Sequence, residues 1–247
     1  WGDHVYPGRR MKNLVLTGAG GGMAKAMLPE LAKLGYRLLL TTRAVDSLRE
    51  HCEREGIEAQ CFGADLTSDE EVKALFAWVE EHGGCDVLIN NAGIAHAAAS
   101  WKLEATEMLR LMDINFLSAV RCTQQALVQM RAKSSGRVIS ISSVVAHKPS
   151  FGTSAYTASK SAVEGYMRGV AIDCAQKGIT ANTIAFGYMN AGMLHEVPEE
   201  LLAQVKTTIP MDAFGRPEQI VEAISYLLGS EYTTGQTLQV NGGQWMP

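Results

Sequence analysis

Short apolar runs alternate with longer stretches of helical periodicity from end to end of this chain. The runs are LVLT (14–17), YRLLLTT (36–42), IEAQCFGA (57–64), DVLIN (86–90), GRVISIS (136–142), ITANTIA (179–185) and QTLQV (236–240). Helical patterns lie between them, near 22–34, 45–55, 68–82, 105–132, 154–177 and 217–229. A strand that is apolar along its whole length is buried on both faces, which is the mark of a parallel sheet covered by helices. Parallel neighbours need right-handed crossovers, so the pattern predicts an α/β fold: a doubly wound, Rossmann-type sheet of seven parallel strands in a single domain. No linker, repeat or low-complexity segment interrupts it. Residues 187–210, GYMNAGMLHEVPEELLAQVKTTIP, read as irregular and long for a connection, so a lid over a site is expected there. Residues 1–10, WGDHVYPGRR, lack the apolar core of a secretion signal and read as a leader or tag-like tail, which leaves 11–247 as the domain.

Composition removes several function classes. The net charge of −4 gives no electrostatic footprint for nucleic acid. No apolar run approaches the roughly 18 residues of a membrane span. The five cysteines are widely spaced with no CxxC pair, which argues against a disulfide framework or zinc site and fits a reducing cytoplasm.

Four glycines fall within Gly18–Gly22, between the first strand and the first helix. At that position a dinucleotide pyrophosphate rests on helix N–H groups, and glycines let the backbone approach it. The pattern is not GxGxxG, because Met23 holds the last place. It reads Thr17-Gly18, three residues, Gly22, one residue, Ala24. A glycine-rich turn without ligand is the alternative. The second strand ends Thr41-Thr42-Arg43 with no acid before Asp46. A guanidinium there suits a ribose 2′-phosphate, which points to NADP rather than NAD; a solvated surface arginine is the alternative. Asp65-Leu66 follows the third strand, where an adenine edge would lie.

Tyr156 and Lys160 are four apart on a predicted helix and so share a face. A neighbouring ammonium lowers a phenol's pKa, which makes the pair a plausible proton donor to a carbonyl. By itself YxxxK can be amphipathic surface. Ser143 lies 13 residues before Tyr156, at the end of its strand. Asn90-Asn91-Ala92-Gly93 ends the fourth strand. Asn115 sits inside a predicted helix, where asparagine is disfavoured without a role; a helix-stabilising polar contact is the alternative.

Together these motifs resemble the short-chain dehydrogenase/reductase family. The carriers are TGAGGGMA, the Asp65-Leu66 pair, NNAG at 90–93, Asn115, the Ser143/Tyr156/Lys160 set and NGG at 241–243, in family order. The resemblance implies that Tyr156 protonates a substrate oxygen, Ser143 positions it, Lys160 lowers the tyrosine pKa and binds the nicotinamide ribose, and Asn115 holds a proton-relay water. Gly18, Gly20, Gly22, Met23, Arg43, Asp65, Leu66, Asn91, Ala92, Gly93, Gly187 and Met189 would join Tyr156 and Lys160 around the cofactor, NADP(H). Three positions depart from the family pattern. Gly21 lacks the basic residue common in NADP users, Phe186 replaces a proline, and Ala191 replaces a carboxamide-binding threonine.

Within the family, NNAGIA and the tail IPMDAFGRPEQIVEAISYLL…TTGQTLQVNGG most resemble 3-oxoacyl-[acyl-carrier-protein] reductases. That implies an acyl substrate on acyl carrier protein, with Arg131, Lys133, Arg168 and Lys177 as a basic rim for docking. The lid's Met189, Met193, Leu194, Val197, Leu201 and Leu202 lean toward apolar substrates. A family enzyme acting on a free ketone or alcohol, and a non-catalytic cofactor-binding protein, are the other readings. The helical patterns near 105–132 (Leu109, Met112, Phe116, Val120) and 154–177 (Val163, Met167, Val170, Ile172) are apolar over more than one face, and the resemblance, to a family whose members pair these helices, implies a homotetramer.

Overall fold

The computed structural model describes residues 10–192 and 199–247. Among these, seven strands form one parallel sheet: β1 (Asn13–Thr17), β2 (Arg37–Thr42), β3 (Ala59–Gly63), β4 (Val87–Asn90), β5 (Gly136–Ser143), β6 (Ile179–Phe186) and β7 (Thr237–Val240). Their order is 3-2-1-4-5-6-7. The helices are α1 (Gly22–Ala32), α2 (Val45–Arg54), α3 (Asp69–Glu81), α4 (Ala105–Met112), α5 (Ser118–Ala132), α6 (Ser154–Cys174), α7 (Glu199–Lys206) and α8 (Pro217–Gly229).

Strand alternation assigns each apolar residue to one of two layers. Leu14 and Leu16 of β1 pack with Met27 and Leu28 of α1, Leu48 of α2 and Ile220 of α8. Val15 faces the other way, with Leu75 of α3, Cys122 of α5 and Val163 of α6. All of β1 is buried, as its unbroken apolar run requires. Each such aliphatic side chain stabilises the fold by about 1.5–3 kcal/mol. The chain winds outward from β1 to β3, then returns to place β4 on the other side of β1. The helices that follow β1 and β4 cover opposite faces of the sheet, so a crevice opens at the carboxyl ends, the usual ligand position of such sheets.

The sequence-level boundaries hold to within about two residues, with two exceptions. The helix expected over 105–132 is α4 and α5 joined by a π-helical turn at Asp113–Leu117. The stretch expected to be irregular, 187–210, contains α7, whose Glu199, Glu200 and Lys206 complement the helix dipole. Met193, Leu194 and Val197 of the expected lid lie outside the described residues, as do residues 1–9 of the expected tail. All five cysteines are free thiols. Among the described residues no helix is long and apolar enough to cross a membrane.

Candidate active site

A cleft of about 750 Å³ opens at the carboxyl ends of the strands. One wall is the glycine loop. Gly18 adopts φ +64°, and a Cβ there would lie 2.6 Å from Ala92 Cα, so only glycine lets this turn press against the NNAG segment. The Thr17 hydroxyl accepts from the backbone N–H of Asn91 (3.0 Å) and Ala92 (3.2 Å), and Asn91 Nδ2 donates to the Thr17 carbonyl (3.1 Å). The turn is thereby zipped to β4. At Gly21, the N-cap of α1, no side chain caps the helix, and its first turn carries no acid. The N–H groups of that turn face the cleft unopposed by negative charge, which suits an anionic group such as a pyrophosphate.

Gly18, Gly22, Met23, Arg43, Asp65, Leu66, Asn91, Ala92, Gly93, Gly187 and Met189 all line the cleft. Gly20 does not. It packs on β2, where a Cβ would lie 2.6 Å from Thr42 Oγ1. Arg43 is exposed at the cleft edge and makes no side-chain hydrogen bond or ion pair among the described residues. The Asp65 carboxylate accepts from Thr67 N (2.9 Å) and Thr67 Oγ1 (2.8 Å), and these bonds, with help from the Arg43 charge, hold it below the usual carboxylate range. Two departures from the family pattern, Phe186 and Ala191, are buried and contribute to the lining.

Ser143 ends β5, and Tyr156 and Lys160 occupy the first two turns of α6; all three line the same cleft. Lys160 is buried, and its Nζ donates to the Ile141 carbonyl at 2.9 Å. Nζ lies 5.7 Å from the centre of the Tyr156 ring. Burial pushes the Tyr156 phenol up to about 12, and the Ser143 hydroxyl beside it offsets part of that rise. The lowering expected from Lys160 is not among the causes: desolvation and the Ser143 hydroxyl set the shift. Burial likewise pulls the Lys160 ammonium down to about 8, against the opposing charge of Glu164.

Asn115 sits in the π-helical turn, behind the cleft wall. Its Oδ1 accepts from Ile94 N (2.8 Å), and its Nδ2 donates to Ile94 O (2.9 Å) and Ser159 Oγ (3.0 Å). The extra residue of a π turn re-aims side chains and is common at functional sites. Here it turns Asn115 onto the segment after β4. Gly93 lies between: a Cβ there would meet Asn115 Oδ1 at 3.3 Å and Lys160 Nζ at 3.4 Å.

The basic rim expected beside the cleft does not form within one chain. Helices run antiparallel to the strands they cover, so Arg131 and Lys177, at helix ends, belong to the opposite edge of the sheet. Lys133 there is bonded to Asp86, just before β4. Sequence reading also missed Ile94, Ala95, Val144, Val145 and Tyr188, which line the cleft beside Ser143 and Tyr156. Their place directly after the β4, β5 and β6 motifs was the available signal. Glu164 was missed as well, although it lies one helical turn beyond Lys160.

The family model for short chain dehydrogenase matches residues 12–202. The chain belongs to the short-chain dehydrogenase/reductase family. It is therefore an oxidoreductase of a family that uses a nicotinamide cofactor, and the glycine wall and uncapped α1 fit that group. The chain is 31% identical over 242 residues to a 3-oxoacyl-[acyl-carrier-protein] reductase of Staphylococcus aureus, covering 95% of this chain and 98% of the relative. A 3-oxoacyl-[acyl-carrier-protein] reductase of Vibrio cholerae is 31% identical over 238 residues, with the same coverage. So is an acetoacetyl-CoA reductase of an Acinetobacter species, 31% identical over 243 residues. A solved structure from Agrobacterium tumefaciens, provisionally assigned as a gluconate dehydrogenase, superposes with a TM-score of 0.89 at 29% identity, covering 94% of this chain and 95% of that one.

Proposed function

We propose that the chain reduces a 3-oxoacyl thioester, carried on acyl carrier protein, to the 3-hydroxyacyl form with NADPH. The convergence of Ser143, Tyr156 and Lys160 on a cleft whose facing wall is the glycine loop is the observation that carries this reading. Similarity to reductases of 3-oxoacyl and acetoacetyl thioesters supports the substrate class. The cofactor, when bound, supplies a hydride. Tyr156 gives its proton to the carbonyl oxygen, and Ser143 donates a hydrogen bond that fixes this oxygen. Lys160 offsets the charge left on the phenolate. Asn115 braces the segment after β4 and, through the π turn, sits on the side of Lys160 from which a proton would be restored. The unpaired Arg43 supports NADP over NAD; Gly21 supplies no second cation. Exposed Leu109 and Ile172 support assembly as a homotetramer, and five free thiols fit a cytoplasmic setting.

A second reading, reduction or oxidation of a free ketone or hydroxy acid, is favoured by the likeness to the Agrobacterium structure. Steady-state kinetics with acetoacetyl-carrier protein, acetoacetyl-CoA and gluconate separate the two. The expected result is that both thioesters are turned over with NADPH, the carrier-borne one with the higher kcat/KM. Turnover confined to gluconate overturns the thioester assignment, and equal use of both thioesters overturns carrier docking.

A further inference from the structure

Glu164 is buried, 4% exposed, one turn beyond the equally buried Lys160 on α6. A buried carboxylate is costly unless it is hydrogen-bonded and faces positive charge. Glu164 accepts from Ser142 Oγ at 2.5 Å, and its other oxygen lies 3.0 Å from His147 Nε2. The His147 ring stacks on Trp245, with centroids 4.1 Å apart and planes at 15°. Gln239 Nε2 of β7 approaches the same histidine nitrogen at 3.4 Å. Lys148, the next residue, donates to the Gln244 carbonyl at 3.0 Å. Strand β5 and the loop after it thus meet at one carboxylate of α6, and β7 and the C-terminal segment pack on its histidine partner. None of these groups has a part in the proton transfer proposed above.

We propose that Glu164 is a positioning residue for Lys160: its carboxylate, clamped by Ser142 and His147, supplies the counter-charge for the buried ammonium and holds it on the Tyr156 side of the helix. Residues four apart on a helix are surface neighbours, so the two charges sit on one face. The charged and titratable groups around them are few. Tyr156 faces Lys160 from the preceding turn, and His147 faces Glu164 from the loop after β5. Ser142 and Gln239 are neutral, and Arg168, one turn further on, is exposed. Burial alone depresses the lysine, and Glu164 is the group that opposes it. Among the described residues, losing that carboxylate leaves the ammonium with the Ile141 carbonyl and the Tyr156 ring.

The catalytic consequence rests on the role given to Lys160 above; the electrostatic claim itself does not. It is tested by NMR titration of protein labelled with 13C at lysine Cε, the Lys160 signal being assigned from its absence in Lys160→Gln. Glu164→Gln keeps the shape of the side chain and one acceptor oxygen, for Ser142 Oγ, and removes the charge. The expected result is a Lys160 midpoint lower by about one pH unit in Glu164→Gln than in wild type. Glu164→Met, of similar volume, is expected to show the same shift and serves if the glutamine variant does not fold. A midpoint that stays in place or rises overturns the proposal. The pH profile of thioester reduction then separates the two claims: its alkaline limb moves with the NMR midpoint if Lys160 acts in catalysis. A shifted midpoint with an unmoved limb leaves Glu164 as the counter-charge and removes Lys160 from the proton path.

Discussion

At the scale of single residues, burial sets the chemistry of the site more than proximity does. Tyr156 and Lys160 are both driven toward their neutral forms, the phenol up to about 12 and the ammonium down to about 8. A phenol this weakly acidic keeps its proton throughout the neutral range, so donation from it needs the charge left on its oxygen to be stabilised. The lysine stays charged below about 8 and loses its charge as pH rises through that value. Arg43 presents the opposite case: it is exposed and makes no side-chain hydrogen bond or ion pair among the described residues, with only the nearby Asp65 charge facing it, so its donors are open to a ligand. A hydrogen bond to a charged group contributes about 1.5–3 kcal/mol. Arg43→Ala is accordingly expected to raise KM for NADPH about tenfold or more and to leave KM for NADH nearly unchanged, read from initial rates with each cofactor. An equal rise for both would remove Arg43 as the selector.

At the scale of elements, the site is knit by close approaches between the glycine loop, the segment after β4 and the helical turns that carry Asn115 and Lys160. Gly18 against Ala92, and Gly93 between Asn115 and Lys160, are the close approaches. Asn115 is the brace: both polar groups of the Ile94 backbone depend on it. Asn115→Ala leaves these half-buried groups and Ser159 Oγ without the amide, and each lost hydrogen bond costs about 0.5–1.5 kcal/mol. The expected outcome is a fall of about 2 kcal/mol or more in stability by urea unfolding, together with lower turnover. Unchanged stability would mean that Ile94 finds other partners and the brace is not structural. The same residue shows what a sequence can disclose. The seven strands and most helices were legible because their periodicities are local. The π turn was not, because a single wide turn leaves the helical pattern over 105–132 recognisable, and the bonds that Asn115 makes from it to Ile94 join residues distant in the chain. Ser143, Tyr156 and Lys160 were legible as a spacing. The Ser142–Glu164–His147 cluster was not, since it gathers residues whose partners, Gln239 and Trp245, lie far along the chain. The helix in 199–206 was hidden by the loop-like composition around it.

At the scale of the whole molecule, the switch in strand order between β1 and β4 puts the glycine loop and the catalytic helix on facing sides of one crevice. The outer faces carry what the core does not absorb. Val163, Met167 and Val170 of α6 are core, whereas Leu109, Val128 and Ile172 are 69%, 69% and 81% exposed. Contiguous exposed apolar surface marks interaction sites, and these exposed residues are where the proposed tetramer would make contact. Light scattering is expected to give the mass of four chains, and Ile172→Glu a smaller species; a monomeric wild type would refute the tetramer. The central claim is that one cleft joins a nicotinamide cofactor to Tyr156 as proton donor. Its most direct test is NADPH oxidation with acetoacetyl-CoA by wild type and Tyr156→Phe, with NADPH binding followed by fluorescence. The expected result is steady turnover by wild type, and a loss of about a hundredfold or more in the variant with cofactor binding retained. Turnover by Tyr156→Phe at the wild-type rate would contradict it.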